Sequence, residues 1–236
     1  MAGWLERAAG SAGFGPALVY LEILIGLILV ATVLHFRRHR GTPGELRAVK
    51  TYFSAWAVLL LAVPCTTIAL TAARPLAAFA SIGWTLGRAR LGLAVTLACL
   101  PIAVGFSFLS SRDAAMRTMY PLAKAVFADT RTFAAYELSY LVLYYLPWEF
   151  VFRGVLLLPL VPALGLVPAL VLQAVLSTLL HIGHPIPEII AAAGAGLAFG
   201  LIAYGTGSFL YPFALHAAAG IANDTFIFLG RRRGRL

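Results

Sequence analysis

Charge is what this chain has least of. Asp, Glu, Lys and Arg make up 11% of its 236 residues, less than half of the roughly one quarter usual in a soluble domain. A water-facing surface needs more than that, so a soluble globular domain is excluded. Acidic residues are scarcer still, 9 against 18 basic. Cysteine is nearly absent. Cys65 and Cys99 each lie inside an apolar run, where a free thiol behaves as a small hydrophobe; we read packed thiols, not a disulfide framework. The opening "MAGWLERAAG" has no basic region ahead of its first apolar run, so that run is expected to stay as a span and not to be a cleaved signal. An internal repeat of the kind many transporters carry is missing, and so is the His-Glu-x-x-His spacing of zinc peptidases.

What is abundant is apolar. Hydrophobic residues form 61% of the chain, in uncharged runs that recur at lengths near the 20 or so residues a helical span needs. This predicts an all-α protein, a polytopic membrane helix bundle of about seven transmembrane helices. The spans are expected at about 16–36, between Lys50 and Arg74, between Arg90 and Arg112, at about 134–158, 167–181, 189–204 and 209–229. Residues 112–133 mix charged and apolar positions and read as a cytoplasmic loop, with an amphipathic helix lying on the surface. The proline-rich "PLVPALGLVP" at 159–168 reads as a turn, and "GTGS" at 205–208 as the break between the last two spans. Gly196 and Gly200 form a small-residue seam for helix packing.

The net charge of +9 does not point to nucleic acid, because the basic residues sit in short loops. Those of 37–50, 112–131 and 231–235 fall on one side, and only Arg7, Arg74, Arg88 and Arg90 on the other. The positive-inside rule then puts the N-terminus out and the C-terminus in the cytoplasm of a multi-pass protein of the cell membrane. The organisation follows: N-terminal helices and loop over 1–133, a second helix bundle over 134–230, and a basic tail over 231–236. The lipid bilayer is the partner this composition names; nucleic acid is not one.

Ionisable groups within apolar spans are functional candidates by default. Here they are Glu22, Glu137, Glu149, Arg153, His181, His216 and Asp224, and all but Glu22 lie beyond residue 136. Glu149 and Arg153 in "PWEFVFRGV" share a helix face and can pair; taken alone, that pair is equally a structural tie between helices. Glu137 is read as an interfacial residue, and the His181 and His184 pair as a polar helix end. His216 lies mid-span among small residues and needs a partner or a water-lined cavity. Asn223 follows it two turns on. By these boundaries His181 lies nearer the cytoplasmic surface than Glu149, so one span must shift or tilt for the two to meet. Glu149, His181 and His216 come from three spans. A carboxylate and two imidazoles suit a general base with its helpers, and the same trio could hold zinc with an open water position.

At this point the residues resemble the CPBP family of intramembrane endopeptidases, named for CAAX proteases and bacteriocin processing and also called Abi. "WEFVFRG" is similar to its first motif, two glutamates, three residues, then arginine and glycine. "STLLHIGHP" is similar to the second, phenylalanine, three residues, histidine, with His181 in the histidine position. "HAAAG" from His216 matches the first half of the third, histidine, three residues, asparagine. The resemblance covers about 134–230. It departs in Trp148, which stands in place of the first glutamate, usually the one that activates water, and in Ser177 and Gly220, in place of the phenylalanine and the asparagine.

The resemblance implies peptide-bond hydrolysis in a membrane cavity, on a membrane protein or peptide that is in some cases lipidated. Glu149 would take the proton from water, Arg153 would orient Glu149, and His181 would hold the same water. His216, with Asn223, would stabilise the oxyanion. No cofactor is implied. Two other readings stand beside it: a relative that binds membrane peptides without cutting them, which Trp148 and Gly220 favour, and an ion-coupled transporter.

Overall fold

The computed structural model describes residues 30–234, all helix and connecting loop. Helix α1 covers residues 30–39. It is followed by α2 (Glu45–Thr71), α3 (Pro75–Ser81), α4 (Ala89–Ser110), α5 (Ala114–Met119), α6 (Thr130–Leu164), α7 (Leu166–Leu179), α8 (Ile186–Thr206) and α9 (Leu210–Arg232). Five of these, α2, α4, α6, α8 and α9, are long and apolar enough to cross a membrane, where seven spans were expected. α7 is apolar but has only 14 residues, about 21 Å at the helical rise, short of the roughly 30 Å hydrocarbon core. The expected first span, with Glu22 and the N-terminal side of the topology, begins outside the described residues.

Helix α6 is the centre of the bundle. Half of its most apolar stretch is buried (50%), against 11% in α2 and α4, and it packs against α2, α7, α8 and α9. The outer helices turn their apolar faces outward; Leu76 is 86% exposed and Leu97 69%, as lipid-facing side chains must be. α6 starts at Asp129, whose carboxylate accepts from the Thr132 N–H at 2.8 Å and the Thr132 hydroxyl at 2.7 Å, capping the free first turn. It contains two widened π stretches, Leu141–Tyr145 and Phe150–Leu157. Pro147 and Pro159 follow them closely, and a proline in a helix removes an N–H and crowds the turn before it.

The turn expected over 159–168 is confined to Gly165. Pro159 and Pro162 lie in the last α-helical segment of α6, directly after the widened π stretch, and the helix runs through both to Leu164. Gly165, with φ of +84°, reverses the chain in a backbone region that only glycine enters freely. The break at "GTGS" is as expected, with Gly207 left-handed at the end of α8. The Gly196 and Gly200 seam also forms: Gln173 Nε2 donates to the Gly196 carbonyl at 2.7 Å, and a Cβ on Gly200 would lie 2.6 Å from Leu170.

Residues 112–133 do not form one amphipathic surface helix. The short α5 and a 3₁₀ turn (Lys124–Ala128) fold inward, burying Met116, Tyr120, Leu122, Ala123 and Val126. The apolar side chains of this segment are too many to leave on a surface, and polar anchors hold it in. The Lys124 N–H donates to Glu45 Oε2 at 2.6 Å, the Leu122 N–H to the Tyr136 hydroxyl at 3.1 Å, and Arg40 to the Thr118 carbonyl at 2.7 Å.

α6 and α9 run antiparallel, and a ladder of pairs sets their register. Arg232 donates to the Thr130 hydroxyl at 2.7 Å. Phe133 stacks on Phe228 at 4.3 Å. The Tyr136 hydroxyl donates to Asp224 at 3.4 Å. Further along, Tyr145 meets Gly220 and Glu149 meets His216. The site is the far end of this ladder.

Candidate functional site

Glu149 is fully buried, with a different partner at each oxygen. Oε1 lies 2.7 Å from His216 Nδ1, and Oε2 lies 3.0 Å from Arg153 Nε. The arginine N–H is not aimed along its contact, so neither Oε2 nor Nε counts as hydrogen-bonded, and Arg153 Nη1 has no partner. Charge, more than a directed bond, holds that side. The guanidinium is also buried, with its carbon 5.7 Å from the centre of the Phe199 ring. His216 is the accessible member, 24% exposed against 0% for Glu149 and 2% for Arg153.

A carboxylate accepts and does not donate, so the His216 proton sits on Nδ1, which leaves the Nε2 lone pair free. His181 is arranged the same way. It follows the end of α7, where its N–H bonds back to the Thr178 carbonyl at 2.9 Å and its Nδ1 lies 2.8 Å from the Ser177 carbonyl. A carbonyl only accepts, so Nε2 is again the free nitrogen. Glu149 pairs with His216 and Arg153 and not with His181; the short α7 brings His181 to the residue beside Glu149. His181 reaches the Trp148 ring at 5.2 Å, edge to face, and the same indole lies 6.4 Å from His216.

Trp148 thus touches both imidazoles. It is buried, stacked on Trp56 at 5.2 Å and on Tyr144 at 5.6 Å, within an aromatic core that α2 and α6 share. The site keeps one carboxylate because an indole fills the place beside it. Glu149, His181 and His216 do not form a zinc set: among the described residues no three His, Cys, Asp or Glu are placed to share a metal. Glu149 is already committed to His216 and Arg153, and His181 meets the Trp148 indole.

Asn223 is not brought to this group. Its amide donates to Asp224 at 3.1 Å, one register step down the ladder, where Tyr136 and Glu137 face Asp224. Glu137, two turns into α6, is buried in the bundle and faces Asp224 within hydrogen-bonding reach.

Residues 130–222 match the family model described as Type II CAAX prenyl endopeptidase Rce1-like. The matched segment begins at the first residue of α6 and takes in Glu149, Arg153, His181 and His216. It ends just before Asn223 and Asp224. No curated protein and no solved structure matches the chain.

The sequence reading missed two features near the site. Tyr145, one turn before Glu149, meets His216 edge to face at 4.9 Å. His184 belongs to a polar cluster in which the Tyr120 hydroxyl donates to Glu188 Oε1 at 2.5 Å and His184 Nδ1 lies 3.0 Å from the same oxygen. Burial, with the Glu188 charge added, holds the Tyr120 hydroxyl well above the usual tyrosine range. The Tyr145 and Tyr120 contacts join residues far apart in the chain and have no local signal; only the His184 and Glu188 pair, four residues apart, has one.

Proposed function

We propose that this protein is an intramembrane endopeptidase that hydrolyses a peptide bond of a membrane-associated protein or peptide. The observation that carries the proposal is the Glu149 to His216 hydrogen bond, a buried carboxylate behind a part-exposed imidazole. The Rce1-like match over the same helices supports it.

The chemistry follows from which atoms are free. Both Glu149 oxygens are engaged and buried, so the proton of the attacking water passes to His216 Nε2, with Glu149 steadying the imidazolium through Nδ1. Arg153 supplies the counter-charge to Glu149 in the bilayer interior, where a lone carboxylate would be costly. His181 Nε2 holds the same water as an acceptor. The water oxygen adds to the carbonyl carbon, the carbon–nitrogen bond breaks, and His216 returns the proton to the departing amine. Water and peptide become a carboxyl group and an amine.

An apolar groove of about 360 Å³ lies between α7 and α8, lined by Val171, Val175, Leu179, Ile182, Ile189 and Leu197. Ile182 is next to His181, so a lipid chain on the substrate would run from the groove toward the site. This favours a lipidated partner, as the prenyl endopeptidase match also does.

Trp148 favours a second reading, a relative that binds such partners without cutting them. His216→Gln separates the two. Membranes containing the wild-type protein should carry new protein termini that disappear in His216→Gln at equal accumulation. Termini that persist in the variant would remove His216 from the mechanism.

A further inference from the structure

Position 220 has no room for a side chain. A Cβ built on Gly220 would lie 1.7 Å from the Tyr145 hydroxyl and 2.5 Å from the ring carbon that bears it. The phenol therefore rests directly on the α9 backbone, one turn beyond His216. Tyr145 belongs to α6, one turn before Glu149, and its ring meets the His216 ring at 4.9 Å. The four residues form a square of two crossing pairs: Glu149 with His216, Tyr145 with Gly220.

Packing alone does not explain the hydroxyl. Phenylalanine would fill the ring's place, and burying a hydroxyl in an apolar span costs free energy unless it is used. Tyr140 stacks on Tyr145 at 4.4 Å. A hydroxyl both donates and accepts, and no hydrogen bond among the described residues takes the proton of the Tyr145 hydroxyl, so that proton is available to an arriving acceptor. The groups expected to serve the oxyanion are engaged elsewhere, and the unpartnered Arg153 Nη1 belongs to a buried side chain paired with Glu149. His216 Nδ1 serves Glu149, its Nε2 receives the water's proton, and the Asn223 amide is spent on Asp224.

We infer that the Tyr145 hydroxyl, seated on Gly220, donates the hydrogen bond that stabilises the oxyanion during peptide hydrolysis, so that Tyr145 is a catalytic residue of this site. The inference rests on the endopeptidase reading above. When water adds, the carbonyl oxygen gains the charge and the Tyr145 O–H donates to it; no proton leaves the tyrosine, and the bond relaxes when the carbonyl re-forms.

The test uses the full-length protein in membranes and follows how fast Glu149-dependent protein termini appear. Tyr145→Phe keeps the ring, so accumulation and thermal unfolding should match the wild type while the rate drops about 100- to 1,000-fold, as for loss of one oxyanion donor. Gly220→Asn alone should fail to accumulate, because its Cβ meets the phenol. Tyr145→Ala with Gly220→Asn clears the ring, places an amide donor on the same turn, and should recover accumulation and part of the rate. A wild-type rate in Tyr145→Phe, with Glu149→Gln inactive, overturns this inference and leaves the endopeptidase reading standing. If Tyr145→Phe accumulates poorly, the double variant decides: accumulation without cleavage overturns the inference. Absence of any Glu149-dependent terminus removes the endopeptidase reading, and this inference with it.

Discussion

His216 Nδ1 and Glu149 Oε1 are 2.7 Å apart across 67 positions of sequence. The contact joins the two helices of the antiparallel ladder, and Arg153 completes it from the other side of the carboxylate. A charge this deep in an apolar bundle is retained only with a partner, so the stability of the site and its chemistry are linked.

Arg153→Ala should therefore be among the most damaging single changes. It leaves a buried carboxylate without its cation, at a cost of about 3–5 kcal/mol. Membrane accumulation and the unfolding temperature of the purified protein should both fall. Arg153→Lys should restore part of the loss, since lysine supplies the charge without the planar fork. Normal accumulation of Arg153→Ala would show that Glu149 does not depend on that charge.

Restoring a second glutamate at position 148 should not improve the protein. Trp148 is 2% exposed and stacked on Trp56 and Tyr144. Trp148→Glu empties that space at about 3–5 kcal/mol and buries a second carboxylate beside the first. Lower accumulation with no gain in cleavage is the expected result. Faster cleavage would mean the indole blocks the site.

Glu137→Gln should stabilise. Glu137 and Asp224 bring two buried carboxyl groups together within hydrogen-bonding reach. An amide donates to Asp224 without adding a second acid, and the better-satisfied pair is worth about 1–3 kcal/mol. A higher unfolding temperature is expected; a lower one would mean that Glu137 shares a proton or cation that the amide cannot.

Lys124 gives the fold a pH dependence at its loop end. Burial, with the Arg40 charge added, lowers its pKa from 10.5 to about 8. Between those values the unfolded chain binds the proton and the folded chain does not, so stability rises with pH across this window. Below pH 8 both states are protonated and the penalty is constant. Lys124→Met should flatten the rise in unfolding temperature between pH 8 and 10. An unchanged slope would assign it to another group.

Much of the fold was legible because it is written in local chemistry. The break at Gly207 and the Gly196 and Gly200 seam follow from backbone freedom and side-chain size alone. The turn before α7 was placed too broadly: three prolines suggested a wide break, but α6 runs through Pro159 and Pro162, and only Gly165 carries the reversal. Glu149, Arg153, His181 and His216 were legible as polar exceptions in apolar runs. Their grouping followed from the resemblance of three motifs; which atoms pair was not legible, because that depends on the α6 and α9 register. Tyr145 was invisible for a related reason: an aromatic residue in an aromatic-rich span looks like core until the glycine opposite it is seen.

The central claim is that the Glu149 and His216 pair hydrolyses peptide bonds, and Glu149→Gln tests it most directly. The amide still accepts from His216 but leaves the buried Arg153 without its counter-charge, so expression is adjusted until the variant accumulates to the wild-type level; the amide cannot steady the imidazolium. Protein termini in membranes carrying the wild-type protein should be compared with those carrying Glu149→Gln at matched accumulation. The account predicts a small set of termini present only with the wild type. Identical termini in the two membranes would contradict it.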